Sequence, residues 1–181
     1  FKLTKPDTLY RFVGFRNYER LIGDLDFWIA FGRTVLFLAI ALNLELVFGL
    51  GIALLINKIT YGQRTLRTLM MFPMMFSPIL VGFQWKYIFN DNIGLMNNFL
   101  REFGVIQPIP WLVDGILANV SIMAAEIWSS TSVFAILLLA GLLGIPKDPI
   151  EAAKVDGCNS WQVFKNITLP FLMPFVFIAM T

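Results

Sequence analysis

Hydrophobic residues gather in three long runs along the chain, separated by shorter polar stretches. The runs cover residues 27–56, 66–89 and 116–143. An α-helix rises about 1.5 Å per residue, so about 20 apolar residues cross the hydrocarbon part of a bilayer. None of the runs alternates apolar and polar residues as a barrel strand would. Because backbone polar groups in lipid must bond within their own helix, the pattern predicts an all-α, polytopic transmembrane helix bundle.

The end of the chain departs from this pattern. Residues 144–170 contain a mixture of polar and apolar residues, with prolines near both ends. This composition predicts a loop that does not cross the bilayer. Residues 171–181 begin a fourth apolar run that is too short to span. We expect the opening turns of a further membrane helix there.

Composition agrees with a membrane protein and excludes several other classes. Of the 181 residues, 57% are hydrophobic and 14% are charged, against about 25% charged in a typical soluble domain. A net charge of +2 is too small to suggest nucleic-acid binding. The sequence contains no histidine, one cysteine and no Walker phosphate loop. We therefore expect no cofactor, no metal site and no catalytic residues, and any ATP site would lie on another chain.

The charged residues of the connections do not decide the orientation of the bundle. Basic residues in 57–67 and 144–170 would place these connections in the cytoplasm and the acidic 90–115 outside. The flank 1–26 is also basic, however, and the number of spans would put it outside. The distribution of charge therefore does not decide which connections lie in the cytoplasm.

Polar side chains within the apolar runs are the candidates for a translocation path. They are Asn43, Glu45, Gln84 and Glu126, and Trp128 lies beside them in the third run. A buried charge is costly in a bilayer, so each polar residue should face the bundle interior, a partner or a cavity. Lining a path for a hydroxylated solute is one interpretation, and hydrogen bonding between helices is the other. Gln84 and Glu126 would be solvated if they lie near the outer interface.

Prolines and small residues carry further information on the spans. Pro73 and Pro78 predict a kinked second span, either beside a solute path or through ordinary packing. Small residues let helices approach closely. They recur at Gly49, Gly51, Ala53, Ala140, Gly141 and Gly144.

The loop over 144–170 contains signals for a first short helix. Asp148 is a suitable N-cap, Pro149 suits the first helical position, and Glu151 completes a spacing like that of a capping box. The helix should end near Asp156, because Gly157 favours a left-handed cap.

A second short helix should follow it. Asn159 or Ser160 would cap this helix, and it should end before Pro170. Its apolar face would carry Trp161, Phe164 and Ile167. The two helices would form a knob for a soluble partner, or alternatively an interfacial segment that rests on lipid.

At these positions the sequence resembles a known family. Glu151-Ala152-Ala153, Asp156-Gly157 and the later Ile167-x-Leu169-Pro170 are similar to the EAA loop of binding-protein-dependent ABC importer permeases. Cys158 stands where alanine is more usual. The resemblance implies that the loop is a coupling helix that docks into an ATPase subunit. The residues implied in coupling are Glu151, Ala152, Ala153, Asp156, Gly157 and Phe164.

The resemblance extends over nearly the whole chain and favours the carbohydrate-uptake branch, to which the maltose and glycerol-phosphate importers belong. It rests on segments such as 12–18, 49–55 and 93–97, which contains Ile93-Gly94-Leu95-Met96-Asn97. It implies a chain that is incomplete at both ends, with 1–26 as an extracytoplasmic amphipathic segment and 144–170 in the cytoplasm.

The function implied is that of a membrane subunit that imports a sugar, polyol or sugar phosphate across a bacterial or archaeal cytoplasmic membrane. ATP-binding cassette subunits, a second permease subunit and an extracytoplasmic solute-binding protein would be its partners. The alternatives are import of another solute, such as a polyamine or phosphate, a membrane scaffold without a path, and a membrane enzyme.

Overall fold

The computed structural model describes residues 14–105 and 107–180. The first thirteen residues of the predicted outer segment 1–26 lie outside this range. Within it, a short 3-10 turn (Pro73–Met75) stands between α3 and α4, and a π turn (Phe164–Thr168) joins α8 to α9. The helices are α1 (Arg16–Ile22), α2 (Leu25–Lys58), α3 (Gln63–Met71), α4 (Pro78–Ile88), α5 (Leu95–Glu102), α6 (Gly115–Leu143), α7 (Lys147–Val155), α8 (Ser160–Val163) and α9 (Leu169–Met180).

The chain divides into two compact units, Phe1–Leu38 and Ala39–Thr181. In the described part of the first unit, the Asp24 side chain accepts a hydrogen bond from the backbone N–H of Asp26 at 3.0 Å. The indole N–H of Trp28 donates to the Ile22 carbonyl at 2.8 Å. These contacts stabilise the turn between α1 and the start of α2.

Long apolar helices dominate the described residues. Three are long and apolar enough to cross a membrane by length and composition, namely α2 with 34 residues, α6 with 29, and the continuous helix Ser160–Met180 with 21. Helices α2 and α6 extend over the first and third predicted spans, with ends that differ by at most two residues from 27–56 and 116–143.

The second predicted span is broken rather than kinked. Gln63–Met75 and Pro78–Ile88 meet at 89°, and together they count as a possible fourth span or a re-entrant segment. Proline disfavours helical geometry in the residue before it, and Ser77 accordingly has extended dihedrals (φ −61°, ψ 141°) before Pro78. Pro78 then opens α4 at a position where its missing N–H costs nothing.

The prediction that a loop helix ends before Pro170 is wrong. Helix α8 continues through the π turn into α9, so that Ser160–Met180 is one helix and the apolar run begins inside it. A proline ring crowds the preceding turn of an α-helix and offers no donor. The π turn changes the hydrogen-bond register immediately before Pro170, and the helix passes through the proline without ending.

Three helices build the apolar core of the second unit. Leu138 and Leu172 are fully buried between α2, α6 and α9. A Cβ atom on Gly49 would lie 2.6 Å from the Phe134 Cβ, and one on Gly141 would lie 2.7 Å from the Phe175 ring. The predicted close approach of helices at small residues is therefore confirmed at these two glycines.

We predict that Gly49→Ala destabilises the helix bundle by about 1–3 kcal/mol, because the added methyl group overlaps Phe134 and its backbone. Gly51→Ala is the matched control, since its Cβ would meet no atom within 4 Å. Thermal unfolding of both variants of the protein in detergent checks this. Equal unfolding temperatures for the two variants would show that α2 and α6 can move apart to accommodate the methyl group without loss of stability.

Candidate functional site

Helix α7 begins earlier than the sequence predicts. Pro146 (φ −57°, ψ 143°) is the N-cap, and the helix starts at Lys147, so the predicted N-cap Asp148 lies in its first turn. The extended conformation of Pro146 already separates α7 from α6, which leaves Asp148 free to enter the helix. Its carboxylate is favourable there because the helix N-terminus carries partial positive charge.

The end of α7 has the predicted left-handed glycine. Gly157 has φ +83°, the Cys158 N–H donates to the Ala153 carbonyl at 2.9 Å, and the Gly157 N–H donates to the Lys154 carbonyl at 3.1 Å. This pair of bonds is the Schellman motif, which satisfies carbonyls that the helix end would otherwise leave unbonded. The chain therefore reverses sharply at Gly157.

Helix α8 begins with a complete capping box. The Asn159 side chain accepts from the Gln162 N–H at 2.9 Å, and the Gln162 side chain accepts from the Asn159 N–H at 2.8 Å. Of the two caps considered from sequence, Asn159 is the one that the structure contains. Trp161 and Phe164 stack one turn apart, with ring centroids separated by 5.6 Å.

These elements form an exposed knob, which we define as residues 147–164. Glu151, Ala152, Asp156 and Gly157 are exposed, whereas Ala153 and Phe164 are partly buried. Val155 was not singled out from sequence, yet it is 87% exposed. It follows Glu151 by four residues and so lies on the same helix face, which is the signal that could have identified it.

The polar residues of the spans lie in different surroundings. Glu45 is buried, with 3% of its surface exposed, and its carboxylate is within electrostatic range of that of Glu126. Glu126 is exposed and accepts a hydrogen bond from the Ser130 hydroxyl at 2.9 Å. Asn43 is exposed and donates to its own helix at Ala39, and Gln84 is exposed on α4. Glu45 on α2 and Glu126 on α6 are thus the two span carboxylates that interact electrostatically.

Trp128 belongs to a chain of aromatic rings that starts at the break in the second span. It lies 6.4 Å from Phe76 and 5.9 Å from Trp85, measured between ring centroids. Trp85 stacks on Phe89 at 5.4 Å, and Phe89 contacts Trp111 at 5.6 Å. The rings connect α4 and α6 to the segment between α5 and α6.

Asn97 organises that segment, and sequence reasoning gave it no role. It is 3% exposed, and its amide group donates to the carbonyls of Asp91 at 2.9 Å and Ile109 at 3.0 Å. Its oxygen accepts from the Ile109 N–H at 3.2 Å and the Trp111 indole N–H at 2.9 Å. One buried side chain is therefore hydrogen-bonded both to the segment before α5 and to the segment between α5 and α6.

The profile of a protein family described as "Binding-protein-dependent transport system inner membrane component" matches residues 45–181. The chain belongs to this family. The permease is therefore a multi-pass inner membrane component of a transport system. The predicted family and the all-α transmembrane fold are confirmed.

Similar proteins include carbohydrate permeases. The permease is 38% identical over 169 residues to the trehalose/maltose transport system permease protein MalF of Thermococcus litoralis, covering 93% of this chain and 57% of that protein. It is 35% identical over 179 residues to the probable ABC transporter permease protein y4oQ of Sinorhizobium fredii, covering 99% and 57%. The permease sequence thus spans little more than half the length of these relatives.

A solved structure shares the fold. A chain of a bacterial ABC transporter involved in the import of the acidic polysaccharide alginate superposes with a TM-score of 0.83 at 23% identity, covering 94% of the permease and 60% of that chain. The permease therefore shares the fold of that chain.

Proposed function

We propose that this permease is the membrane subunit of an ATP-driven importer that moves a sugar, polyol or sugar phosphate across the cytoplasmic membrane. The observation that carries the proposal is the exposed knob, capped at Gly157 and Asn159. It follows α6 and includes the first turn of the helix Ser160–Met180, and each of these two helices could cross a membrane. A rigid exposed element of this kind can transmit the movement of a soluble partner to the spans.

The knob is proposed as the dock for an ATP-binding cassette subunit. Glu151, Ala152, Asp156 and Gly157 would contact the ATPase, and Ala153 and Phe164 would support them from the partly buried side. Exposed Val155 adds an apolar contact to this surface. Two such subunits, each with one ATPase, and an extracytoplasmic solute-binding protein would complete the importer.

Glu126 is proposed as a residue of the translocation path. Ile122, Glu126 and Val133 are exposed along one face of α6. Glu126 lies about 16 Å along α6 from its first residue, Gly115, at a rise of about 1.5 Å per residue. A carboxylate that faced lipid at that depth would be costly in free energy. The face is therefore better suited to the path between two permease subunits, where Ser130 would orient the carboxylate toward solute hydroxyls.

We predict that Glu126→Ala weakens the transport of solute by about tenfold or more, since a hydrogen bond to a charged group contributes about 1.5–3 kcal/mol. Uptake of radiolabelled trehalose or maltose into proteoliposomes, at varied concentrations of loaded binding protein, measures it. Val133→Ala is the control, because it changes the same face without removing a polar group. Uptake by Glu126→Ala equal to that of Val133→Ala would remove Glu126 from the path.

The substrate class rests on the trehalose/maltose relative and is tested through the binding protein. Isothermal titration of that protein with disaccharides, glycerol phosphate, spermidine and phosphate identifies the solute. Binding of a sugar or sugar phosphate supports the proposal, and binding of only a polyamine or inorganic phosphate overturns it. Purification of the full-length subunit without any ATPase would favour a membrane scaffold.

A further inference from the structure

A cavity of about 680 Å³ lies behind the knob, where the ends of α2 and α6 meet α7 and α8. Its inner wall is apolar and includes Leu54, Leu142 and Val163. Lys58 from the last turn of α2 and Lys154 from the last turn of α7 also line it. The cavity thus combines an apolar interior with two exposed lysines from different helices.

Charge in this cavity has one sign. The lining contains hydroxyl and amide groups from Asn57, Ser160 and Thr168, but no carboxylate. An anion placed between the lysines would therefore meet two cations and several neutral donors without a competing negative group.

The position of the cavity selects the kind of anion. Lys58 is the last residue of one candidate span, and Leu142 lies one residue before the end of another. The cavity therefore lies at the ends of two apolar helices, the part of a span that meets the headgroup layer. Trp161, which also lines it, is 68% exposed, as expected for an aromatic residue at a membrane interface. Basic pockets between membrane helices on the cytoplasmic side suit anionic headgroups.

We propose that this cavity binds an anionic phospholipid, with its phosphate between Lys58 and Lys154 and the start of an acyl chain against Leu54 and Leu142. The inference rests on the proposed function in one respect, that the knob faces the cytoplasm. Because the two lysines belong to α2 and α7, the lipid would tie the knob to the bundle. Coupling between hydrolysis and uptake would then depend on anionic lipid.

Native mass spectrometry of the purified complex of full-length subunits tests this directly. The complex is incubated in detergent with phosphatidylglycerol or phosphatidylcholine, and bound lipid is counted. We expect the wild type to retain phosphatidylglycerol at about tenfold or greater excess over phosphatidylcholine, and the Lys58→Ala/Lys154→Ala variant to lose this preference. The matched control is Lys147→Ala/Lys165→Ala, which removes two charges near the same end of the bundle from residues outside the cavity lining.

Three outcomes would overturn the proposal. One is equal retention of the two lipids by the wild type, and another is unchanged retention by Lys58→Ala/Lys154→Ala. The third is filling of the cavity by protein, seen as crosslinking from a photoreactive residue at Leu54, in the inner wall and outside the knob, to another protein chain or to a segment of the permease outside residues 14–180. Equal thermal midpoints of the two double variants exclude misfolding. Lipid retention is measured without transport, so failure of sugar uptake would count against the proposed function alone.

Discussion

Asn97→Leu is expected to destabilise the full-length permease by about 3 kcal/mol or more. The substitution keeps a branched side chain with the same number of heavy atoms but removes an amide that accepts from the Ile109 N–H and the Trp111 indole and donates to the carbonyls of Asp91 and Ile109. Each buried polar group left without a partner costs about 1–3 kcal/mol. The released Trp111 should also loosen its contact with Phe89, which lies 5.6 Å away. Thermal unfolding in detergent, followed by tryptophan fluorescence, measures the loss.

Asn98→Leu provides the control at the neighbouring position. Asn98 is exposed, and its amide makes one long bond of 3.4 Å to the Ile93 carbonyl. A surface substitution of this kind changes stability by about 0.5 kcal/mol or less. If the Asn97 and Asn98 variants unfolded at the same temperature, the loop would be held by its apolar contacts, and the hydrogen bonds of Asn97 would contribute little.

The long helices could be predicted from sequence because their signals are local. An apolar run must form a helix in lipid wherever it lies, so α2 and α6 begin and end close to the edges of the first and third runs. Gly157 and Asn159 also act within a few residues of their own positions. Their left-handed and capping geometries therefore depend little on the rest of the fold.

The features that could not be predicted depend on contacts between distant residues or on competition between neighbouring signals. A proline near the middle of a span indicates a kink, but the 89° break at Ser77 also depends on where α3 and α4 pack. Pro170 is a stop signal that the preceding π turn overrides. Pro146 occupies the N-cap position that was predicted for Asp148, although aspartate has the higher N-cap propensity.

The candidate site shows the same division. The sequence identified Glu45 and Glu126 as costly in a membrane, but only the packing of α2 against α6 brings their carboxylates within electrostatic range. Asn97 lies twelve residues before Ile109 and fourteen before Trp111. No periodicity connects residues at those separations, so three of its four hydrogen bonds follow from tertiary structure alone.

Gly157→Val is expected to reduce sugar uptake by about tenfold or more while leaving ATP hydrolysis active. Valine at φ +83° is strained, and relieving the strain would turn the chain away from the two bonds to Ala153 and Lys154. The knob would then present Glu151 in a changed orientation. Glu151→Lys should uncouple in the same way by reversing the charge of an exposed side chain without altering the turn.

Two further substitutions separate loss of the knob geometry from general destabilisation. Gly157→Asn should retain most of the uptake, because asparagine tolerates the left-handed region. Gly104→Val introduces equal strain at φ +90° in the segment after α5, so it should lower the thermal midpoint but keep uptake proportional to hydrolysis.

Uptake and solute-stimulated ATPase activity are measured together in proteoliposomes. Uncoupling by Gly104→Val, or full coupling in both Gly157→Val and Glu151→Lys, would mean that the knob does not transmit the ATPase movement. The ratio of uptake to hydrolysis distinguishes general destabilisation from loss of the knob geometry. Destabilisation lowers both rates, whereas displacement of the knob lowers uptake alone.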